Sequence, residues 1–426
     1  MSLVEGAYTA ALTAARPLLP LAGRGAGKLA RGVRGRRGVV ERLARWAREQ
    51  RDPGRPLVWF HAPSVGEGLQ ARITLQALRA RRPELQVLYT YFSPSAERFA
   101  TTVPADVTDY LPLDLPAEMA ALLDALRPAA VAFSKTDVWP NLTREAARRG
   151  VPLLLLSATL PPGSSRLSAP ARLLLGPAYR RLRHVAAISP ADAERFGRLG
   201  VPPERRSVMG DARFDQVWAR AQAADPDSPL LAPLRATDAR PTLVAGSTWS
   251  PDEERLLSAV ARLRDEGTPL RLVLVPHEPT PEHLARTEAL LARLSLVHRR
   301  LSHDGNGWEV LLVDRVGVLG DLYALADLAY VGGGWGTAGL HSVLEPAAFG
   351  APVLFGPRHA NAREAGELVA RGGAFAPVEE TRLLEPLRLW TTDAAARQAA
   401  GAIARDYVRA GLGAAARGAA LVEGVL

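Results

Sequence analysis

The feature that most narrows the fold of this chain is a strand–helix alternation that runs through it twice. From Pro56 onward, short apolar runs rich in Val, Leu and Ile alternate with helical stretches rich in Ala, Arg and Glu. In the first half the runs are Leu57–Ala62, Leu85–Phe92, Ala129–Ser134, Pro152–Ala158, His184–Ser189 and Ser207–Gly210. Between them lie helical segments such as Gly68–Arg81, Ala117–Leu126 and Asn141–Arg149. Runs that are apolar throughout read as strands buried on both faces, and helices between successive strands are the crossovers of a parallel sheet. Residues 219–240 lose the pattern and gather Pro, Asp and Ala, which marks a linker. The alternation then resumes at Thr242–Gly246, Arg271–Val275, Val310–Val313, Leu328–Gly332 and Pro352–Phe355.

The expected class is therefore α/β, with two Rossmann-like domains whose parallel sheets face a central cleft, where such sheets bind ligands at strand carboxyl ends. The expected organisation is a membrane-associated segment with a basic helix over 1–51, a first Rossmann-like domain over 52–218, a linker over 219–240 and a second domain over 241–426. A chain of 426 residues, 47% of them hydrophobic, is long enough for two buried cores.

Cysteine is absent, which removes disulfides, thiolate nucleophiles and cysteine metal sites. The eight histidines include no close-spaced pair, so no structural zinc site is expected. The formal net charge of +9 is localised. Between Arg24 and Arg51 ten Lys/Arg residues stand against Glu41 and Glu49, so this segment carries +8 of it. A basic block beside an apolar stretch suits an anionic membrane surface better than nucleic acid, which calls for basic residues on the cleft or interleaved with aromatics. A solvated basic helix without a partner is the plainer alternative. Residues 6–23 contain a single charge, Arg16, but carry Pro17 and Pro20, so they are marginal for a spanning helix. They read as a short anchor or interfacial segment, with the body of the protein on the cytoplasmic side.

Three stretches carry candidate chemistry. Leu328 to Asn361 takes a strand into Gly332-Gly333-Gly334, through a loop, to a helix expected to open near His341 or Ser342. Glycines allow close approach of a ligand to backbone, and a helix N-terminus offers N–H groups to phosphate. Glu345 would lie one turn in, placed to accept from ribose hydroxyls; the dinucleotide fingerprint and Walker A are both absent. A second strand end, Ala245-Gly246-Ser247-Thr248, runs into Trp249 and the acids Asp252-Glu253-Glu254, which suits phosphate or sugar contacts or a helix cap. After the first strand comes His61-Ala62-Pro63-Ser64-Val65-Gly66-Glu67-Gly68. Glu67 there is either a general base aimed into the cleft or a first-turn acid stabilised by the helix dipole. Asp137 follows the Ala129–Ser134 strand similarly, as a second functional acid or a cap for the helix beginning around Pro140.

Together these blocks resemble one family: the transferases of 3-deoxy-manno-octulosonic acid (Kdo) that act in lipid A assembly and have the GT-B fold. The resemblance runs from about Trp59 to Arg409 and is carried, in order, by HAPSVGE (61–67), TDVWPN (136–141), GDARFD (210–215), GSTWSPDEE (246–254), LVPHEP (274–279), GVLGDLYALADLAYVGGG (317–334) and HSVLEPAAFGAPVLFGP (341–357) with Asn361. It implies that Glu67 is the proton acceptor that activates the acceptor hydroxyl. Asp137 stands where the family usually has Glu, and Arg213 where it usually has Lys, both implied to stabilise the transition state. Pro276, His277, Gly317, Val318, Leu319, Ser342, Val343, Leu344 and Glu345 occupy the implied CMP-binding positions, with His277 and Ser342 departing from the usual Arg and Asn. The implied reaction is inverting transfer of Kdo from CMP-Kdo, a donor substrate rather than a cofactor, to a hydroxyl of a lipid A precursor. No metal is implied, no nucleic acid, and a place on the cytoplasmic face of the inner membrane. Two other readings remain at this point. One is a GT-B transferase for a different activated sugar or membrane acceptor; the other is a non-catalytic nucleotide-binding membrane protein.

Overall fold

In a computed structural model, which describes residues 3–235, 238–305 and 307–426, the expected alternation builds two seven-stranded sheets, each of them parallel throughout. One compact unit comprises the chain up to Gln216 together with Leu412–Leu426; the other is Val217–Gly411.

The first unit contains β1 (Leu57–His61), β2 (Gln86–Tyr91), β3 (Val107–Tyr110), β4 (Ala130–Ser134), β5 (Leu153–Ala158), β6 (His184–Ala187) and β7 (Arg206–Val208). Their order is β3-β2-β1-β4-β5-β6-β7, so the chain reverses its direction of travel between β1 and β4. Every residue of β1, β2, β4 and β5 is buried, which is why these strands read as continuous apolar runs. The strand β3 escaped the sequence reading because its VTDY carries no apolar run and lies at a sheet edge.

Residues before β1 are not a separate appendage. Helix Leu3–Ala15 docks on this unit through Glu5, buried and paired with Arg181 at 2.6 Å, and through Tyr8, whose hydroxyl donates to Asp114 at 3.1 Å. Pro17 sits in a short 3-10 turn, Arg16–Leu18, that interrupts the helical path. Among the described residues no helix is long and apolar enough to cross a membrane. The basic helix Val39–Glu49 is amphipathic: Val39, Leu43 and Trp46, spaced by four and three residues, enter the core. On its outer face Arg42 forks onto Asp109 with bonds of 2.8 and 2.7 Å.

The far end of the chain also returns to this unit, where the sequence had placed it in the second domain. Helix Ala414–Glu423 packs against helix Val65–Arg81, and a Cβ at Gly418 would press on Met209 and Thr74. Asp215 accepts from the backbone N–H groups of Gly413 and Ala415 at 2.8 and 3.2 Å, tying down the start of this helix. The expected linker is likewise shorter than 219–240, because helix Ala212–Ala223 continues into it; residues 236 and 237 lie outside the described residues.

The second unit contains β8 (Thr242–Thr248), β9 (Arg271–Pro276), β10 (His298–Arg300), β11 (Val310–Leu312), β12 (Leu328–Val331), β13 (Val353–Phe355) and β14 (Ala374–Phe375), in the order β10-β11-β9-β8-β12-β13-β14. The two strands missing from the sequence reading, β10 and β14, are the edges, too short and too polar or small to stand out. The chain changes direction between β8 and β12, and the candidate residues of this unit gather there.

Candidate active site

In the first unit, register places His61, the last residue of β1, between Thr90 of β2 and Phe133 of β4. The residues just past each strand end therefore meet. Helix Val65–Arg81 opens directly after β1, with Glu67 in its first turn and Ser64 as N-cap. From β4 comes Lys135, whose Nζ lies 3.0 Å from Glu67 Oε1, while the Ser64 hydroxyl donates to Glu67 Oε2. Burial pushes the Glu67 carboxyl up, but the Ser64 hydrogen bond and the Lys135 ammonium outweigh it, and its pKa falls below the usual range. Glu67 is thus an anion at neutral pH, with both oxygens oriented by donors. Lys135 adopts a left-handed backbone, φ 66°, a conformation strained for a residue with a Cβ, and its ammonium turns back to the helix.

Asp137 lies two residues on. His61 Nε2 is 2.9 Å and Trp139 Nε1 3.0 Å from its Oδ2. The arrangement that satisfies every group has His61 donating from Nε2 and accepting at Nδ1 from the Thr90 hydroxyl at 3.0 Å, while Thr90 accepts from Trp59 Nε1 at 2.8 Å. Burial again raises the Asp137 pKa, and the His61 and Trp139 contacts reverse the sign, so Asp137 too is held below the usual range. It does not cap the following helix: Pro140–Arg148 has Trp139 at its N-cap without a side-chain bond. Arg213 stands apart in the topology, at the start of the helix that follows the edge strand β7. Its guanidinium is paired with Asp211 at 2.7 Å, and Asp211 also accepts from the Arg213 backbone N–H at 2.9 Å.

In the second unit, Asp252 organises the turns. Its Oδ2 accepts from the backbone N–H groups of Trp249 and Gly333, each at 3.0 Å, and its Oδ1 from the Tyr330 hydroxyl at 2.9 Å. The turn after β12 is thereby stapled to the turn after β8. The glycines of this turn are required by its packing. A Cβ on Gly332 would collide with the Ser247 carbonyl, and one on Gly333 (φ 96°) with the Gly339 carbonyl. The helix after this loop begins at Leu344, later than the expected His341 or Ser342, and is only five residues long.

Beside these turns three rings stack. His277, immediately after Pro276 at the end of β9, packs tilted against both Trp249 (4.8 Å, 34°) and His341 (4.3 Å, 30°). The Trp249 indole N–H donates to His341 Nε2 at 3.2 Å. Burial, with a contribution from His277, lowers the His341 pKa to about 4, so this imidazole is neutral at physiological pH. Of the other nucleotide candidates, Leu319 lies against Gly246 near the end of β8: a Cβ there would strike the Tyr323 hydroxyl and Leu319. Val318 and Leu319 pack around Tyr323, and Glu345 lies close enough to raise the Tyr323 pKa electrostatically. Gly317 has φ 90°, Val343 and Leu344 are buried, and Ser342 is half-buried. Burial raises the Glu345 pKa, opposed by Arg220. The structure thus brings Pro276, His277 and His341 together around the ring stack. It gathers Leu319 and Glu345 at the end of β8.

Lys135, His61, Trp139 and the stacking partners Trp249 and His341 had no role assigned from the sequence. The signal for His61, Trp139, Trp249 and His341 was their place inside the motif blocks. For Lys135 it was only adjacency to one.

Comparison with known proteins shows the family. Residues 36–216 match the family model described as 3-deoxy-D-manno-octulosonic-acid transferase. The chain is 30% identical over 372 residues to the 3-deoxy-D-manno-octulosonic acid transferase of Bordetella pertussis, covering 84% of this chain and 85% of that one. The chain belongs to the Kdo transferase family. The Haemophilus influenzae transferase is 29% identical over 302 residues, 70% of each chain. Solved structures extend the likeness in fold: UDP-GlcNAc 2-epimerase from Neisseria meningitidis has a TM-score of 0.61 at 12% identity, covering 87% of this chain and 99% of that one. Acinetobacter baumannii MurG has a TM-score of 0.54 at 14% identity over the same shares. The two Rossmann-like units of this Kdo transferase are a GT-B fold, and the protein is a glycosyltransferase.

Proposed function

We propose that this Kdo transferase moves Kdo from CMP-Kdo to a hydroxyl of a lipid A precursor, with inversion at the anomeric carbon. The observation that carries the reading is the Glu67 carboxylate, ionised and fixed by Ser64 and Lys135 at the end of β1. The acceptor oxygen forms its bond to the anomeric carbon as the bond from that carbon to the CMP phosphate breaks, and CMP leaves with the electron pair. The acceptor hydroxyl becomes acidic as its bond forms, so a carboxylate of low pKa suffices to take the proton late in the step. Asp137 keeps a negative charge at the neighbouring strand end, suited to positive charge developing on the sugar ring. It is one methylene shorter than the usual Glu, and His61 and Trp139 fix it in place. Arg213 would offset charge growing on the departing phosphate.

On the donor side, the Trp249–His277–His341 stack offers flat faces to a base. The turns at 317–319 and 342–345 bring backbone N–H groups and Glu345 to phosphate and ribose. No metal enters this scheme. The exposed leucines Leu18, Leu21 and Leu29, beside the basic block, support a seat on an anionic membrane surface, on its cytoplasmic side.

The test is CMP release from CMP-Kdo generated in situ, with and without a tetra-acylated lipid A precursor. Acceptor-dependent release with a matching mass increase of the lipid is expected. Donor binding without any lipid product would refute this acceptor.

A further inference from the structure

One large cavity in the first unit belongs to none of the groups described above. It lies between the N-terminal helices and the sheet edge, has a volume of about 710 Å³, and is floored by apolar side chains including Leu19, Val33, Val40 and Leu113. Its rim carries Arg16, Lys28 and Arg37, all exposed, with Arg16 paired to the lining Glu118 at 3.3 Å and Glu41 as the second lining acid, so the cations outnumber the acids; Leu29 stands 73% exposed at its mouth. A fourth rim cation, Arg36, is structural. It donates to the carbonyls of Leu111, Gly32 and Phe92 and lies 4.0 Å over the Phe92 ring.

One wall of this cavity leads to the proposed base. Phe92 lines it and also stacks on Trp139 with centroids 5.2 Å apart, and Trp139 is the residue that donates to Asp137. The backbone N–H groups of Phe92 and Ser93 donate to the Pro63 carbonyl at 3.2 and 2.8 Å, and Pro63 immediately precedes Ser64, the partner of Glu67. An apolar cavity with cations at its mouth is complementary to an acyl chain with an anionic head. Here the wall at Phe92 and Ser93 is also bonded to the turn that leads into the Glu67 helix.

We propose that this cavity seats an acyl chain of the acceptor itself, so that an anionic amphiphile anchored there presents its sugar hydroxyl to Glu67. The inference rests on the transferase reading above and adds to it the part of the acceptor that the protein grips. The seat makes the acyl chain a determinant of reactivity in its own right. An acceptor stripped of its acyl chains loses the apolar contact while keeping the reacting hydroxyl.

Ala117 and Ala121 line the cavity from the exposed face of helix Pro116–Leu126, one turn apart, so Ala117→Trp and Ala121→Trp each add bulk inside it without disturbing the buried side of that helix. For the unaltered protein and both variants, two quantities are measured. One is the ratio of kcat/KM for a tetra-acylated acceptor to that for its deacylated analogue. The other is the binding of 11-(dansylamino)undecanoic acid below its micellar concentration, with melting curves run alongside. The ratio should fall about tenfold or more, the equivalent of roughly two methylenes displaced from the cavity, and dansyl binding should weaken in parallel. An unchanged ratio in folded variants overturns the seat. It does so even if dansyl binding is lost, because the cavity would then hold some other amphiphile. Absence of CMP release by the unaltered protein with both acceptors would instead overturn the transferase reading beneath it.

Discussion

Replacing Glu67 by Gln isolates the proton-transfer role from the architecture around it. In the native site Oε1 faces the Lys135 ammonium at 3.0 Å and Oε2 accepts from the Ser64 hydroxyl. A glutamine amide fits the same frame if its oxygen faces Lys135 and its NH₂ donates to Ser64, because a hydroxyl both donates and accepts. The fold is thus retained. Lys135 loses an opposite charge but its side chain is 42% exposed, and pairs so open to water contribute only about 0–1 kcal/mol. Stability should change by no more than about 1 kcal/mol. The rate effect is far larger, because a neutral amide takes no proton: general-base removal costs a factor of about 10²–10⁴. Initial rates of CMP release should therefore fall by that factor with saturating acceptor, while CMP affinity, measured by calorimetry, stays within about twofold. The pH dependence has a definite sign. The Glu67 pKa is depressed in the folded protein, so native activity persists on lowering pH through the ordinary carboxylate range and is lost only as pH falls through the depressed value. A Gln variant within tenfold of the native rate, or one that retains the acid limb, would remove Glu67 from the mechanism.

Lys135→Met should move the acid limb of kcat/KM to higher pH, because the ammonium that helps hold the Glu67 pKa down is gone; a limb that stays in place refutes the coupling. The same depressed pKa makes Glu67 and Asp137 contribute stability above the ordinary carboxylate range that is lost as pH falls through their folded values, and urea midpoints taken across acidic pH should follow that trend. Asp252→Ala strands three donors that converge on one buried carboxylate and should cost about 2–4 kcal/mol in chemical denaturation, with CMP binding lost alongside; a cost below about 1 kcal/mol would deny Asp252 its role as a staple. His277→Ala removes the ring that packs on both Trp249 and His341 and should weaken CMP binding about threefold to tenfold, read by calorimetry, whereas unchanged affinity would place the base elsewhere.

How much of the site was legible depends on how far apart its parts lie along the chain. Glu67 and Asp137 stood out because each follows a strand that reads as a continuous apolar run, and a strand end in a parallel sheet is where chemistry is placed. The glycines of the turn after β12 were equally visible. A glycine in sequence signals a close approach without saying what approaches, and the structure adds backbone from the end of β8 and from Gly339. The five-residue helix was expected to open near His341 or Ser342 and begins at Leu344, with Val343 as its N-cap residue. Asp215, part of the GDARFD motif, holds the returning helix Ala414–Glu423, a partnership that no local pattern encodes.

The sequence by itself determined two parallel α/β units, the approximate place of most central strands, the basic character of the N-terminal helices and the family. All of these rest on periodicity and motif order, which are set by neighbours within a few residues. Only the tertiary structure decided the pairing of Glu67 with Lys135, of His61 with Asp137, and of Asp215 with the start of the last helix, across 68, 76 and 198 residues. It also decided that the N-terminal helices close a cavity whose wall at Phe92 and Ser93 is bonded to Pro63, ahead of the Glu67 helix. The physical reason is that strand order and register carry distant residues to a common sheet end. A sequence shows that strands will pair, but which strand lies beside β1, and which residue then stands 3.0 Å from Glu67, is settled only when the whole sheet has packed.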